Sequence, residues 1–130
     1  MTGYVVRQAD VQQFANGGRT EHFRTTLVRP VVPIDALRGG WYHLAAGASN
    51  PPDVHQVDEI YFITQGTADI TLDGEHQRLE PGDTVLVPAG CHHQLVNDGD
   101  AELVLVFLFS PPPAPRGPSD APSQYGPVTA

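Results

Sequence analysis

The chain has 130 residues, a single cysteine and a formal net charge of −8. That length suits one domain with one sizeable core. The acidic balance argues against nucleic acid or an anionic membrane as the main partner, because both select basic surfaces. A lone cysteine, Cys91, excludes an intrachain disulfide, which fits a reducing compartment.

The first residues, MTGYVVRQAD, carry no apolar signal-peptide core. The stretch RQADVQQFAN, Arg7–Asn16, is the only one with helical character, and Gly17-Gly18 ends it. After it, 13 glycines and 13 prolines punctuate short segments rich in β-branched and aromatic residues. These are EHFRTTLV (21–28), WYHLAA (41–46), EIYFIT (59–64), ADITLD (68–73), HQRLE (76–80), DTVLVPA (83–89), HHQLVN (92–97) and ELVLVFLF (102–109). The pattern predicts strands at the spacing of a sandwich or barrel. Asp73-Gly74 suits a type I′ hairpin turn, and EPGD (80–83) and NDGDA (97–101) read as further turns.

Leu103–Phe109 is apolar on both faces, so a cover is expected on each side: either the N-terminal segment or a second copy of the chain in a homodimer. At seven residues it is also the longest apolar run, far too short to span a bilayer. The chain therefore reads as a soluble, cytoplasmic protein. Residues 1–110 are expected to form the domain. Residues 111–130, with seven prolines in twenty positions, read as a polyproline-II or disordered tail.

Two clusters carry the chemistry. In the first, Asp53, His55 and Glu59 lie an even number of residues apart, so an extended chain points them to one face. Tyr61 shares their parity and is a candidate pocket residue. In the second, His92 and His93 open a strand after a Pro88–Gly90 turn and point to opposite faces, so at most one joins a given site. In WYHLA, Trp41, His43 and Ala45 share a face, and His43 is a pocket residue if that face is the inner one. Cys91 has no activating neighbour and reads as a buried structural thiol. Ser110, Ser119 and Ser123 have no visible His-Asp partners, and ANGGR lacks the lysine of a phosphate-cradling loop.

The two clusters resemble the paired motifs of the cupin superfamily. The first motif is His-x-His, three or four residues, Glu, six residues, Gly; here His55, Glu59 and Gly66 match, and Asp53 replaces the first histidine. The second is Gly, five residues, Pro-x-Gly, two residues, His, three residues, Asn; Gly82, Pro88, Gly90, His93 and Asn97 all match. Fifteen residues separate the motifs, similar to single-domain bacterial cupins. The resemblance spans Trp41 to Phe109. It implies an all-β double-stranded β-helix, a jelly-roll barrel with a site in its mouth, and a metal at His55, Glu59 and His93, with His92 turned away.

Asp53 is the departure, and it reads as a fourth ligand, a general base or a turn residue after Pro51-Pro52. Two histidines and one carboxylate are the set of non-haem Fe(II) oxygenases. One divalent ion per chain is expected, Fe²⁺ ahead of Mn²⁺, Zn²⁺, Ni²⁺ or Co²⁺. The expected function is a metal-dependent enzyme acting on a small organic molecule, in the manner of secondary metabolism, as an oxygenase or as an isomerase, cyclase or lyase. The alternative is a non-catalytic cupin that binds a small ligand as a sensor or carrier.

Overall fold

The computed structural model describes residues 3–15 and 20–113. Among these, nine strands follow a short 3-10 turn: β1 Phe14–Ala15, β2 Glu21–Leu27, β3 Arg38–Leu44, β4 Asp58–Gln65, β5 Ala68–Leu72, β6 Glu75–Leu79, β7 Thr84–Val87, β8 His93–Val96 and β9 Leu103–Ser110. They form one six-stranded sheet in the order β1-β2-β3-β9-β4-β7 and one three-stranded sheet in the order β6-β5-β8. Every pairing is antiparallel. The architecture is the expected jelly roll.

Alternation explains the layers. On β4, Glu59, Tyr61 and Ile63 are buried while Phe62 and Thr64 are exposed. Inward residues from both sheets meet in a core centred on Leu44, Ile70, Leu95, Leu103 and Leu105, none more than 1% exposed. Each such side chain contributes about 1.5–3 kcal/mol by leaving water.

The turns follow their local chemistry. Asp73 and Gly74 both take positive φ, 47° and 85°, as a type I′ turn requires. Asp83 N–H closes the EPGD turn on the Glu80 carbonyl. Asn97, fully buried, donates its amide to the carbonyls of Leu44 and Ala101 and accepts from Gly99 N–H. The asparagine of the second motif thus locks the end of β8 to the ends of β3 and β9.

The N-terminal helix expected over Arg7–Asn16 does not form. A single 3-10 turn at Gln8–Asp10 takes its place, and Phe14 and Ala15 pair with β2 as β1; Asn16 lies outside the described residues. The cause is tertiary. Arg24 donates to the carbonyls of Gln8 and Val11 at 3.0 and 2.6 Å, and Val11 is buried. Helix of this length is marginal in water and yields to such contacts.

Strand β9 has a fully buried inner face of Leu103, Leu105, Phe107 and Phe109, while on its outer face Val104 is buried and Val106 and Leu108 are half-buried. The N-terminal segment reaches this outer face beside Val104, where His43, its register partner, meets Gln8. Farther along, Trp41, Ile60, Phe62 and Leu86 continue an apolar outer surface, with Phe62 and Leu86 exposed. Strand β6 is the opposite: Glu75, His76, Gln77 and Arg78 all face solvent at the edge of the small sheet. The proline-rich tail, from residue 114 onward, lies outside the described residues.

Gly66 ends β4 at φ +81°, and a Cβ there would stand 2.5 Å from the Glu102 carbonyl oxygen. Gly47, at φ +78°, has nothing within 4 Å of the same position. Urea unfolding should therefore show Gly47→Ala losing about 1–2 kcal/mol of backbone strain. Gly66→Ala should lose about 1–3 kcal/mol more through overpacking. Equal losses would mean that the backbone approach at Gly66 imposes no constraint.

Candidate metal centre

The first cluster lies on the loop entering β4, and the second on the turn entering β8. Backbone bonds sew them together. Gly90 N–H donates to the His55 carbonyl at 2.7 Å, and Asp53 and His93 exchange N–H···O bonds of 2.9 Å in an antiparallel bridge. The result brings His55, Glu59 and His93 to one point: each offers a ligand atom within 4.8 Å of the others. Glu59 Oε1 is the hub, 3.6 Å from His55 Nε2 and 3.5 Å from His93 Nε2. Donor atoms about 2.1 Å from a shared ion lie roughly 3.0–3.4 Å apart, so small shifts bring the three into coordination range.

Each ligand candidate is oriented by a neighbour. His93 Nδ1 stands 3.0 Å from the Cys91 carbonyl, which holds the N–H there and leaves the Nε2 lone pair for the site. Phe109 packs edge-on against the His55 ring at 4.9 Å. Tyr61 O–H donates to Glu59 Oε1 at 3.0 Å. Burial, then Glu59, holds the Tyr61 phenol well above the usual range, so it stays a donor. At His93 burial opposes the charged form, yet the hydrogen bond to Glu59, the Cys91 carbonyl and Asp53 outweigh it, and the proton affinity is raised. A place that favours an imidazolium despite burial has the negative potential a divalent cation seeks.

Asp53 stands at the side of this group and is not one of the three. Its Oδ2 is 3.5 Å from His55 Nε2 and its Oδ1 accepts from Val54 N–H. His93 is buried and His92 is exposed, its N–H held by Asp73 Oδ1. Cys91 is buried, and burial followed by Asp73 raises its thiol pKa, so the thiol stays protonated and inert.

The group opens on a cavity of about 290 Å³. Tyr61 lines it, but His43 does not, because β3 turns Tyr42 and Leu44 inward and His43 outward. That corrects the placement of His43 as a pocket residue. Sequence reasoning missed the far wall. There Tyr42 O–H donates to the buried Glu21 carboxylate, and burial, then Glu21, raises the Tyr42 phenol pKa far above its ordinary range. A signal existed: in EHFRTTLV, Glu21 shares parity with Phe23 and Thr25, so a carboxylate sits on the inward face of the strand. Phe23, Leu95, Phe107 and Phe109 give the cavity an apolar surface. Its charged groups are Glu21, Asp53 and Glu59, with no arginine among the lining residues. The chain has no lysine at all, so no side-chain amine is available to form a Schiff base.

A family model described as the cupin domain matches residues 40–109. The chain belongs to the cupin family. Among curated relatives, an uncharacterized protein of Streptomyces coelicolor is 40% identical over 73 residues, covering 56% of this chain and 69% of its own length. The dimethylsulfoniopropionate lyase DddQ of Ruegeria pomeroyi is 38% identical over 60 residues, which cover 45% of this chain and 30% of that protein. A DddQ crystal structure superposes with a TM-score of 0.68 at 26% identity, covering 78% of this chain and 57% of the other. The polyketide cyclase RemF of Streptomyces resistomycificus superposes with a TM-score of 0.76 at 18% identity, covering 88% and 83% of the two chains, a likeness of fold. The family therefore includes enzymes, and the His55–Glu59–His93 group occupies the positions of its motif residues.

Tyr61→Phe removes the donor that orients Glu59 without removing a ligand candidate. Isothermal titration of the protein, stripped by chelator, with Zn²⁺ should show affinity about 10–100-fold weaker than wild type, with unchanged thermal stability of the apo form. Unchanged affinity would reduce Tyr61 to a packing residue.

Proposed function

We propose that this cupin is a metal-dependent enzyme that moves protons on a small, uncharged organic molecule, as an isomerase, cyclase or lyase. The reading rests on the meeting of His55, Glu59 and His93 at the wall of a cavity whose other buried polar groups are a carboxylate–phenol pair, Glu21 and Tyr42. When bound at the three side chains, a divalent ion would supply a Lewis acid for a substrate oxygen. The relationship to a lyase and the fold shared with a cyclase agree with this class.

The roles of the other residues follow from position. Asp53, fixed by Val54 N–H and turned toward His55, is the base beside the ligand group. Glu21 and Tyr42 stand on β2 and β3, two or three strands from β4 in the same sheet. They hold and return a proton at the other end of a bound molecule. Phe23, Leu95, Phe107 and Phe109 exclude water from the space between. Glu21, Asp53 and Glu59, with no arginine among the lining residues, make the cavity acidic, so a carbonyl or phenolic compound fits better than an organic acid.

One observation favours a second reading. Two histidines and one carboxylate leave coordination positions open, which suits Fe²⁺ and dioxygen chemistry. A set of small uncharged dicarbonyl and phenolic compounds, incubated with the metal-loaded protein in D₂O under argon, separates these readings. Metal-dependent deuterium uptake at carbon is expected, read by NMR. Asp53→Asn should keep the metal and lower that rate about 10²–10⁴-fold. Loss of metal in Asp53→Asn would make Asp53 a ligand. Turnover only in the presence of dioxygen would favour the oxygenase, and binding without turnover would favour a carrier or sensor.

We further propose a cytoplasmic homodimer that covers the outer face around Trp41, Ile60, Phe62, Leu86, Val106 and Leu108. Two exposed large apolar side chains on one sheet face, Phe62 and Leu86, support it. Sedimentation at micromolar concentration should give a dimer for the wild type and a monomer for Phe62→Glu; a monomeric wild type would overturn the assembly.

A further inference from the structure

A second group of metal-ligating side chains lies outside the barrel and shares no residue with the cavity. His22 on β2 and His43 on β3 are direct cross-strand partners. Both point to the outer face, and their rings stack with centroids 4.5 Å apart and planes 11° from parallel. Glu102, the residue before β9, places Oε1 3.2 Å from His43 Nδ1. One ligand atom from each of the three lies within 4.8 Å of the others. The sheet order β2-β3-β9 makes this possible, because His43 is paired with His22 on one side and with Val104, two residues after Glu102, on the other.

The stacked rings hold their lone pairs in nearly parallel planes, and rotation of one ring turns both toward one ion. Both nitrogens of His43 face oxygens: Nδ1 faces Glu102, and Nε2 stands 3.4 Å from the amide oxygen of Gln8. The position between Nδ1 and Glu102 Oε1 can thus be taken by a proton or by a metal ion. The Gln8 contact is the kind of outer hydrogen bond that fixes the ring of a metal-bound histidine. The 3.2 Å separation lies within the roughly 3.0–3.4 Å expected of donors sharing one ion. The nearby cation, Arg24, donates to the carbonyls of Gln8 and Val11 and to Gln13 Oε1. His43 is 18% exposed and Glu102 43% exposed, so water can complete the coordination sphere.

We propose that His22, His43 and Glu102 form a second, structural metal site for a divalent ion that prefers imidazole ligands, Zn²⁺ or Ni²⁺ rather than Mg²⁺ or Ca²⁺. The ion bridges β2, β3 and the entry to β9, and through Gln8 it clamps the 3-10 turn onto the outer face. It is independent of the barrel site and of any activity there.

The test separates the two sites. A His55→Ala/His93→Ala variant removes the barrel ligands, and the chelator-stripped protein is titrated calorimetrically with Zn²⁺. One ion per chain is expected at micromolar concentration. Adding His43→Ala should abolish it, and adding Gln8→Ala should weaken it about 10–100-fold. Zn²⁺ should also slow amide exchange at residues 8–11 in the double variant. No binding by the folded double variant, binding only at millimolar Zn²⁺, or binding indifferent to His43→Ala would overturn the site. Should the double variant fail to fold, the wild type decides: two equivalents falling to one in His43→Ala support the site, and an unchanged stoichiometry sinks it.

Discussion

The antiparallel bridge between Asp53 and His93 holds the candidate site together. Asp53 and His93 are forty positions apart in the chain, yet each N–H meets the other's carbonyl, and Gly90 N–H adds a third bond to His55. Side chains on extended backbone have fixed directions. Pinning the two backbones therefore fixes where the imidazoles point before any ligand arrives. Several neighbouring contacts serve this alignment. The Cys91 carbonyl selects the His93 tautomer, Phe109 fixes the plane of His55, and Tyr61 turns Glu59. Asn97 secures the far end of β8.

The cavity divides into unlike parts. Around His55, Glu59 and His93 the potential is negative and the donors are aligned. On neighbouring strands, the half-buried Tyr42 meets the buried Glu21, and its phenol gives up a proton with great difficulty. Phe23, Leu95, Phe107 and Phe109 supply the apolar part of the same lining. A carboxylate buried without a counter-charge is costly. That Glu21 and Glu59 each keep one inside, beside phenols and imidazoles, places the electrostatic cost where chemistry would use it.

Much of this was legible in the sequence, for physical reasons. Strand and turn positions followed from alternation and from Asp73-Gly74, because these signals are local. The convergence of His55, Glu59 and His93 rested on motif spacing, which encodes the bridge indirectly. Parity alone did not separate His92 from His93, since the register across the Pro88–Gly90 turn is a property of the folded sheet. It also left the face of His43 undecided, and Tyr42 proved to be the inward residue. The N-terminal stretch misled because its composition favours helix while Arg24, distant in sequence, claims its carbonyls.

The rim of the small sheet has a consequence of its own. Among the described residues strand β6 ends that sheet without a further strand beside it, and such an edge is a template onto which another chain can add. Its exposed Arg78 is paired with Asp98 and its exposed His76 with Asp69. Such surface pairs do little for folding stability. Their effect is on encounters between molecules: a charged edge is hard to extend strand by strand, and fibril-like growth is discouraged there. The charged rim thus disfavours strand addition, whereas the exposed apolar side chains Phe62 and Leu86 lie on the other sheet.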